Sequence, residues 1–276
     1  MVRAPDSAKH RFGEHAEAYV SSSTHASGDD LQLLISLAGV QPGELALDVA
    51  TGGGHVALEL ARAGADVTAC DLTPPMLEAA RRHLAEKGFS ATFVEASADA
   101  LPFPDASFDL VTCRIAAHHF PEARAFFFEV ARVLRPHGRL AFQDQALPDD
   151  PAAAKAVEAF ERLRDPSHNR ARSASGWVGL ATGAGFEVEA QALVDKRHDF
   201  ADWCGRQGCT EEVVTVLTEL AAGMSPPAAG WIEPAWEHGE HGRVLTSFRN
   251  RHIVLLARKP VPGSRYPSST SRMSAS

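Results

Sequence analysis

The chain has 276 residues, of which 45% are hydrophobic and 22% charged, and 35 Asp and Glu against 27 Lys and Arg give a formal net charge of −8 at pH 7. This composition is typical of a folded globular protein and excludes a collagen-like or wholly disordered chain. The acidic balance disfavours a nucleic-acid partner, because proteins that bind phosphate backbones usually carry a basic excess.

The sequence carries no signal for a membrane or an oxidising compartment. No apolar run reaches the roughly 18 residues of a membrane-spanning helix, and the first residues, MVRAPDSAKHRFGEH, lack the apolar segment of a signal peptide. The four cysteines form no C-x-x-C pair and are too sparse for a disulfide framework. We therefore expect a cytoplasmic location, no membrane insertion and no metal site.

Short β-like runs alternate with helix-like runs from Glu44 to Ala141, which is the pattern of a parallel sheet covered on both faces. The run ELALDVA ends in three glycines, and HVALELARAG then predicts a helix that ends at Gly64. A later helix is predicted over EARAFFFEVARVLRPHG, ended by Pro136 and Gly138. With the late runs GFEVEAQAL and VLTSFRNRHIVLLARKP, the prediction is a doubly wound α/β fold with a mostly parallel sheet of seven strands.

Two segments interrupt this alternation. They are Asp149 to Asp165, which is helix-like, and the stretch from His198 to Glu240, whose part SPPAAGWIEPAWEHGEHG has a loop composition. Such inserts usually build lids and substrate pockets.

We predict one domain over residues 1–260, with a cofactor-binding core at about 40–147. Lid or substrate segments are expected at about 1–30, 149–172 and 198–240. The tail 261–276 is rich in Pro and Ser and is expected to be disordered.

The turn after the first predicted strand satisfies G-x-G-x-x-A over Gly52 to Ala57. Glycines tolerate positive φ and let a ligand approach the backbone, while a helix N-terminus offers unpaired N–H groups. Asp71 follows Gly52 by 19 residues, at the end of the second predicted strand, where a carboxylate can accept from ribose hydroxyls. Together these features predict a nucleoside site.

Two further acids restrict the chemical class of the expected ligand. Asp48 lies at the end of the first strand, where its charge would repel a pyrophosphate but suit an ammonium or sulfonium group. Asp99, within Ser97-Ala98-Asp99-Ala100, follows the third strand and can accept from an adenine amino group. Three acids at three successive strand ends predict a single cleft and disfavour NAD.

The blocks LDVATGGGHVALELA, ACDLTPPMLEAA, ASADALPFPDASFDLVTCRIAAHHF and EVARVLRPHGRLAFQD occur in this order. They resemble the class I S-adenosylmethionine-dependent methyltransferases, and among these the ubiquinone/menaquinone-biosynthesis (methyltransferase type 11) subgroup. The resemblance covers about residues 10–145. It implies a Rossmann-like methyltransferase fold, S-adenosyl-L-methionine as cofactor, and in-line methyl transfer to a small-molecule acceptor, which we expect to be aromatic, quinone-like or a secondary metabolite.

The resemblance also implies a set of cofactor-binding residues. Those beside the methionine half would be Asp48, Ala50, Gly52, Gly54 and Arg114, those around the ribose and adenine would be Asp71, Leu72, Ala98, Asp99 and Ala100, and Tyr19 would close over the cofactor.

Methyl transfer from a sulfonium depends mainly on proximity and orientation, and a general base helps when the acceptor is a hydroxyl or a carbon acid. The candidate bases are His118 and His119, of which at most one should face the cleft because they are consecutive, and His25 is a third. Histidines that only hold the loop by hydrogen bonds are the alternative. Asp144, at the end of the fifth strand, is expected to be a solvated acid.

Other functions remain open at this point. An NAD(P)-dependent oxidoreductase would use the same glycine turn, but Asp48 and the lack of a Tyr-x-x-x-Lys pair in the body of the fold disfavour it. A non-catalytic S-adenosylmethionine-binding protein would show the same acids. The segment EHGEH is expected to be a polar surface turn and not a metal site. The sequence decides neither the oligomeric state nor whether O, N or C is methylated.

Overall fold

The computed structural model describes residues 29–239 and 242–261. Tyr19, His25, Glu240, His241 and nearly all of the predicted segment 1–30 lie outside the described residues, as does the tail from residue 262 onward.

The sheet has nine strands, and seven of them follow one path of hydrogen-bonded neighbours. The strands are β1 (Leu45–Val49), β2 (Asp66–Asp71), β3 (Thr92–Glu95), β4 (Phe108–Arg114), β5 (Leu134–Leu147), β6 (Arg172–Ser173), β7 (Glu187–Asp199), β8 (Ala235–Gly239) and β9 (Gly242–Arg258). The path runs β3-β2-β1-β4-β5-β9-β7, while β6 pairs with β5 and β8 pairs with β9 outside it. The strands from β3 to β5 are parallel and β9 is antiparallel to both its neighbours. The predicted mostly parallel α/β sheet is confirmed.

Helices cover both faces of this sheet. They are α1 (Asp29–Ala38), α2 (His55–Arg62), α3 (Pro74–Glu86), α4 (Ala123–Val133), α5 (Pro151–Arg164), α6 (Ala174–Gly183), α7 (Phe200–Gly205), α8 (Glu211–Ala222) and α9 (Pro226–Ile232), with a 3-10 helix at Ala117–His119. Successive strand residues point to opposite faces. Accordingly, Leu47 of β1 packs in one hydrophobic cluster with α4 and α6, while Ala46 packs in a second one with α1 and α2.

The two inserts form a third hydrophobic cluster beyond the carboxyl end of β5. Phe160 of α5 stacks on Trp203 of α7 with ring centroids 5.1 Å apart, and Phe248 of β9 meets the Trp203 ring edge-on at 4.6 Å. Leu217 of α8 and Ile232 of α9 complete this cluster. The inserts are therefore packed on each other and on the long strand β9.

The predicted end of one helix and one predicted loop were wrong. Helix α4 ends at Val133, three residues before Pro136, because β5 begins at Leu134 and an irregularity in its pairing with β4 takes up the proline segment. The segment predicted as a loop contains α9 and β8. Pro226 and Pro227 begin α9 at positions where a missing N–H is harmless, and β8 is held by pairing with β9. Among the helices of the described residues, none combines the length and apolarity needed to cross a bilayer.

Candidate active site

A cavity of about 200 Å³ lies at the carboxyl ends of β1, β2 and β4. Nine of the predicted site residues line it: Asp48, Ala50, Gly52, Asp71, Leu72, Ala98, Asp99, Arg114 and His119. Lining residues that the sequence did not single out are Thr51, Gly53, His55, Val56, Thr73, Met76, Ala96, Ser97, Ile115, Ala116, Phe120 and Pro121. We call this the main cavity. Gly54, Ala100 and His118 do not line it.

Two glycines of the turn have different roles: Gly52 leaves space at the cavity wall, and Gly54 allows two helices to pack closely. Gly52 has φ +52°, and a Cβ built on it would meet no atom within 4 Å, so a side chain there would extend into open space at the cavity wall. Gly54 has φ +79°, and its Cβ would come within 2.9 Å of the Ala80 Cβ. Gly54 therefore permits the close approach of α2 and α3 instead of lining the cavity.

Asp71 is held with both carboxyl oxygens in fixed positions. The Gly52 N–H donates to Oδ2 at 3.0 Å and the Thr73 N–H donates to Oδ1 at 2.9 Å. Burial raises the pKa of Asp71 from its usual value. Each carboxylate oxygen can accept a second hydrogen bond, so this side chain offers two oriented acceptors at the cavity wall.

Asp48 contributes a buried negative charge. It is only 2% exposed and accepts hydrogen bonds from the hydroxyls of Thr51, at 2.6 Å, and Thr112, at 2.7 Å. Burial raises its pKa to about 6, so the group is mostly ionised at neutral pH. It forms no ion pair with any Lys or Arg of the described part of the chain. A cationic ligand would supply the missing charge.

Arg114 brings a positive charge to the same cavity. Its side chain is 5% exposed and pairs with Asp30 of α1 at 2.6 Å, and its Nε donates to Gln143 Oε1 at 3.0 Å. Burial alone would raise the pKa of Asp30, but the charges of Arg114 and Lys196 hold it well below its usual range. No sequence signal connects Asp30 with Arg114, because 84 residues separate them.

The segment after β3 adds a third acid to the wall. The Ser97 hydroxyl donates to the Asp99 carboxylate, and a bridge between Ser97 and Ala100 closes the turn. Ser97, Ala98 and Asp99 face the cavity and Ala100 does not. The turn thus holds the Asp99 carboxylate beside small side chains, where a flat heterocycle has room.

His118 and His119 line different cavities, although their ring centroids are only 4.1 Å apart. His119 lines the main cavity, and its Nδ1 lies 3.1 Å from the Ser167 carbonyl oxygen. Burial and the neighbouring His118 lower the pKa of His119. His118 instead lines a second cavity, and its Nδ1 lies 2.5 Å from Asp144 Oδ1.

The expectation that Asp144 is solvated was wrong. The side chain is fully buried and forms an ion pair with His118, whose backbone N–H also donates to Asp144 Oδ2 at 3.1 Å. The reason is tertiary: β5 lies between β4 and β9, and the first insert covers its carboxyl end. Asn169 and Arg170 of that insert donate backbone hydrogen bonds to the His118 carbonyl oxygen.

The second cavity, of about 80 Å³, lies between the carboxyl end of β5 and the inserts. Its lining residues are Ile115, His118, Gln145, Glu161, Arg164, Lys196, His198, Trp203, Arg206, Asn250 and His252. Ile115 lines both cavities, and its φ of +54° is an uncommon strained conformation for a β-branched residue. Burial lowers the pKa values of His198 and His252 to about 3, so both are neutral at pH 7.

In the described part of the chain, no group of three or more His, Cys, Asp or Glu side chains could hold a metal ion. Glu237, His238 and Gly239 of EHGEH belong to the exposed strand β8. Cys70, Cys113 and Cys204 are buried, and Cys209 is partly buried.

The main cavity fits S-adenosylmethionine by the chemistry of its wall. Asp71 supplies oriented acceptors for a diol, Asp48 a negative charge, Arg114 a positive one, and Met76 and Leu72 apolar contacts. A nucleoside that combines a ribose, a cationic sulfonium and an amino-acid end matches all of these groups at once.

Comparisons with known proteins agree with this chemistry. A family described as a methyltransferase domain matches residues 47–142. The uncharacterized methyltransferase YcgJ of Bacillus subtilis is 41% identical over 170 residues, which are 61% of this chain and 67% of that protein. The solved structure of BH2331 from Bacillus halodurans C-125, assigned as a methyltransferase, has a TM-score of 0.80 at 37% identity and covers 85% of this chain and 100% of its own.

A demethylmenaquinone methyltransferase of Thermus thermophilus is 46% identical over 96 residues, which are 34% of this chain and 44% of that enzyme. These similarities do not favour the nicotinamide-dependent alternative. The chain belongs to the class I S-adenosylmethionine-dependent methyltransferases, and S-adenosylmethionine is its cofactor.

Proposed function

We propose that this methyltransferase acts on a small molecule that binds in the second cavity. The observation that carries the proposal is the position of that cavity: it shares Ile115 with the main cavity and is enclosed by the two inserts. An acceptor held there would approach the cofactor beside Ile115, the residue that borders both cavities. An RNA or protein substrate would need an open surface, whereas Trp203, His118 and His252 in this wall are buried.

The proposed cofactor contacts follow from the wall of the main cavity. Asp71 would accept from both ribose hydroxyls, because its oxygens are already oriented by the Gly52 and Thr73 N–H groups. Asp99 would accept from the adenine amino group, with Leu72 against the ring. When bound, the cofactor supplies a methyl group that its sulfonium already activates.

The two charged side chains of this wall have complementary roles in the proposal. Arg114 would pair with the cofactor carboxylate, and its position is fixed by Asp30 and Gln143. Asp48 would hold the cationic part of the cofactor. Tyr19 remains a proposed contact from the sequence alone.

His118 is the proposed general base. Asp144 accepts from its Nδ1–H at 2.5 Å, which leaves Nε2 as the nitrogen that can take a proton from the acceptor. Burial by itself lowers the pKa of His118, but the charge and hydrogen bond of Asp144 raise it above the usual value. Asp144 is a positioning residue in this scheme, because it acts through the imidazole.

His119 has a different place in the proposal. Because its Nδ1 faces the Ser167 carbonyl, the ring is held as part of the wall of the main cavity. Its lowered pKa keeps it neutral at physiological pH, where it makes a weak base. Of the two histidines, His118 therefore has the geometry and the basicity that proton abstraction needs.

The test is transfer of a labelled methyl group. Purified protein and S-adenosylmethionine labelled in the methyl group are incubated with the low-molecular-weight fraction of a cell extract, and separately with its RNA and protein fractions. The expected result is a labelled small molecule whose mass increases by one methylene. His118→Gln should reduce this transfer while it leaves binding of S-adenosylhomocysteine unchanged.

Label that appears only in RNA or protein would contradict the proposed acceptor class. No transfer to any fraction, with S-adenosylmethionine still bound, would instead favour the non-catalytic alternative. His137→Gln serves as a matched control, because His137 lies in the far, amino-terminal part of β5.

A further inference from the structure

Glu161 has a buried carboxyl oxygen that no group of the described residues satisfies. The residue is 6% exposed, lines the second cavity, and its Oε1 has no hydrogen-bond partner among the described residues. A buried acceptor without a partner costs free energy, and native structures rarely retain one without a reason. A hydroxyl or amino group on a bound ligand would satisfy it.

Arg164, one helical turn further along α5, also lines the second cavity. Its Nε donates to the Trp203 carbonyl oxygen at 3.0 Å, and its guanidinium lies over the Trp203 ring, 4.4 Å from the centroid. These contacts hold the plane of the guanidinium. The two terminal nitrogens have no acceptor within the described ranges, and such a fixed fork suits a carboxylate.

Glu161 and Arg164 stand three residues apart on one helix, a spacing at which opposite charges normally pair. No ion pair joins them, although α5 forms other contacts of this kind, such as Arg162 with Glu158 at 3.9 Å. Both side chains line the second cavity, where they are available to a ligand.

Two more cationic side chains, Lys196 and Arg206, line the cavity. Lys196 lies 3.2 Å from Asp30, so its charge is already compensated, and Arg206 is a further cation in the wall. His198 and His252 are neutral, as shown above. Glu161 is thus the one acid that lines the cavity among the described residues, opposite an excess of cationic groups.

We infer that the acceptor is a compact organic acid that also carries a hydroxyl or amino group: Arg164 pairs with its carboxylate and Glu161 accepts from its hydroxyl or amino hydrogen. This inference rests on the proposed function, because it names the substrate class of the same site. A cavity of about 80 Å³ with charged walls suits such an acid better than a quinone-like acceptor.

The test measures binding without turnover. Protein saturated with S-adenosylhomocysteine is titrated by calorimetry with short aliphatic and single-ring hydroxy acids, their primary amides, and the corresponding acids without the hydroxyl. We expect the hydroxy acids to bind roughly 10-fold more tightly than their amides, because a charge-assisted bidentate pair is lost in the amide. Arg164→Gln should abolish this difference, and Glu161→Ala should abolish the preference for hydroxylated over unhydroxylated acids.

Arg162→Gln is the matched control, since Arg162 lies on the same helix with 48% of its side chain exposed. Unchanged affinity for S-adenosylhomocysteine and an unchanged melting temperature show that each variant is folded. If no hydroxy acid binds more tightly than its amide, or if Arg164→Gln retains the difference, the inference is overturned. A methylated product with neither a carboxyl group nor a carboxyl ester in the label-transfer assay would also overturn it, yet would leave small-molecule methyl transfer intact.

Discussion

At the scale of single residues, Asp71 shows how a local pattern becomes a binding group. The sequence places it at a strand end, and two backbone N–H groups then fix the direction of its oxygens. An asparagine at this position keeps the size but replaces one acceptor oxygen by a donor.

We therefore expect Asp71→Asn to weaken S-adenosylhomocysteine binding by about 10- to 100-fold, the equivalent of about 1.5–3 kcal/mol for hydrogen bonds to a charged group. Calorimetry measures this directly. Asp66→Asn, at the exposed start of the same strand, should have no effect on affinity. Equal affinities of the Asp71 and Asp66 variants would refute the ribose contact.

His118 is surrounded by groups that set its protonation. Asp144, Asp165 and Glu161 all raise its pKa by their charge, against burial, which lowers it. His119 and His168 also lie close, with ring centroids 4.1 and 5.0 Å from His118. A base acts only when it is deprotonated. A raised pKa therefore means that activity is already lost at a higher pH as the solution is acidified.

The rate of methyl transfer should therefore increase with pH and level off above a midpoint higher than 6.5, the usual histidine value. Asp144→Asn should move this midpoint to lower pH, because the charge that stabilises the imidazolium is gone. His118→Gln should lower turnover by about 10²- to 10⁴-fold, the usual share of a general base. If Asp144→Asn does not shift the pH profile, the contact between Asp144 and His118 has only a structural role.

At the scale of secondary-structure elements, the glycine turn joins β1 to α2 and sets how closely α2 packs on α3. Gly54 sits at the point of contact, and Gly52 sits at the cavity. Both have positive φ, so an alanine is strained at either position, but only at Gly54 does it also meet a neighbour.

We expect Gly54→Ala to lower the free energy of unfolding by about 1–3 kcal/mol, as overpacked sites do. Gly52→Ala should cost less stability but should weaken S-adenosylhomocysteine binding, since its methyl group enters the cavity. Urea unfolding and calorimetry on the same two variants separate these effects. A larger loss of stability in Gly52→Ala than in Gly54→Ala would contradict this division.

The inserts act as elements that position the loop after β4. Segment 167–170 donates backbone hydrogen bonds to the His118 carbonyl, and Asn169 Nδ2 donates to the Phe120 carbonyl oxygen at 2.6 Å. The 3-10 helix that carries His118 and His119 is therefore held from both sides, by β5 and by the first insert. This explains why two consecutive histidines face different cavities.

At the scale of the whole molecule, buried histidines link stability to pH. His198 and His252 have pKa values of about 3 in the folded protein, lowered by burial, against 6.5 for the free side chain. As the pH falls below 6.5, the unfolded chain binds protons that the folded one excludes, and stability decreases. Asp48, whose pKa is raised to about 6, acts in the opposite sense.

The variant His252→Gln isolates the contribution of this histidine to the pH dependence of stability. Between about pH 7.5 and about pH 5.5, the wild-type protein should lose about 1.4 kcal/mol more unfolding free energy than His252→Gln. Urea unfolding at the two pH values measures the difference. Equal losses in the two proteins would mean that His252 has the same pKa in the folded and unfolded states.

The sequence by itself determined the parallel sheet and located most of the residues that are proposed to bind the cofactor. Gly52, Asp71 and Asp99 belong to short contiguous motifs at strand ends, and parallel strands bring such ends to one edge of a sheet. The position of each of these residues depends on a few neighbours in the sequence, so their spacing along the chain is enough to predict where they lie in the fold.

The surroundings of the proposed acceptor site could be found only in the tertiary structure. Asp30 pairs with Arg114 across 84 residues, and Asp144 is buried because the first insert covers the end of β5, a position that the sequence of the insert does not indicate. Glu161 appears in the sequence as one acid of an amphipathic helix. Its place at the second cavity depends on the elements against which α5 packs, through Trp203 of α7 and Phe248 of β9, and these partners lie far from α5 in the sequence.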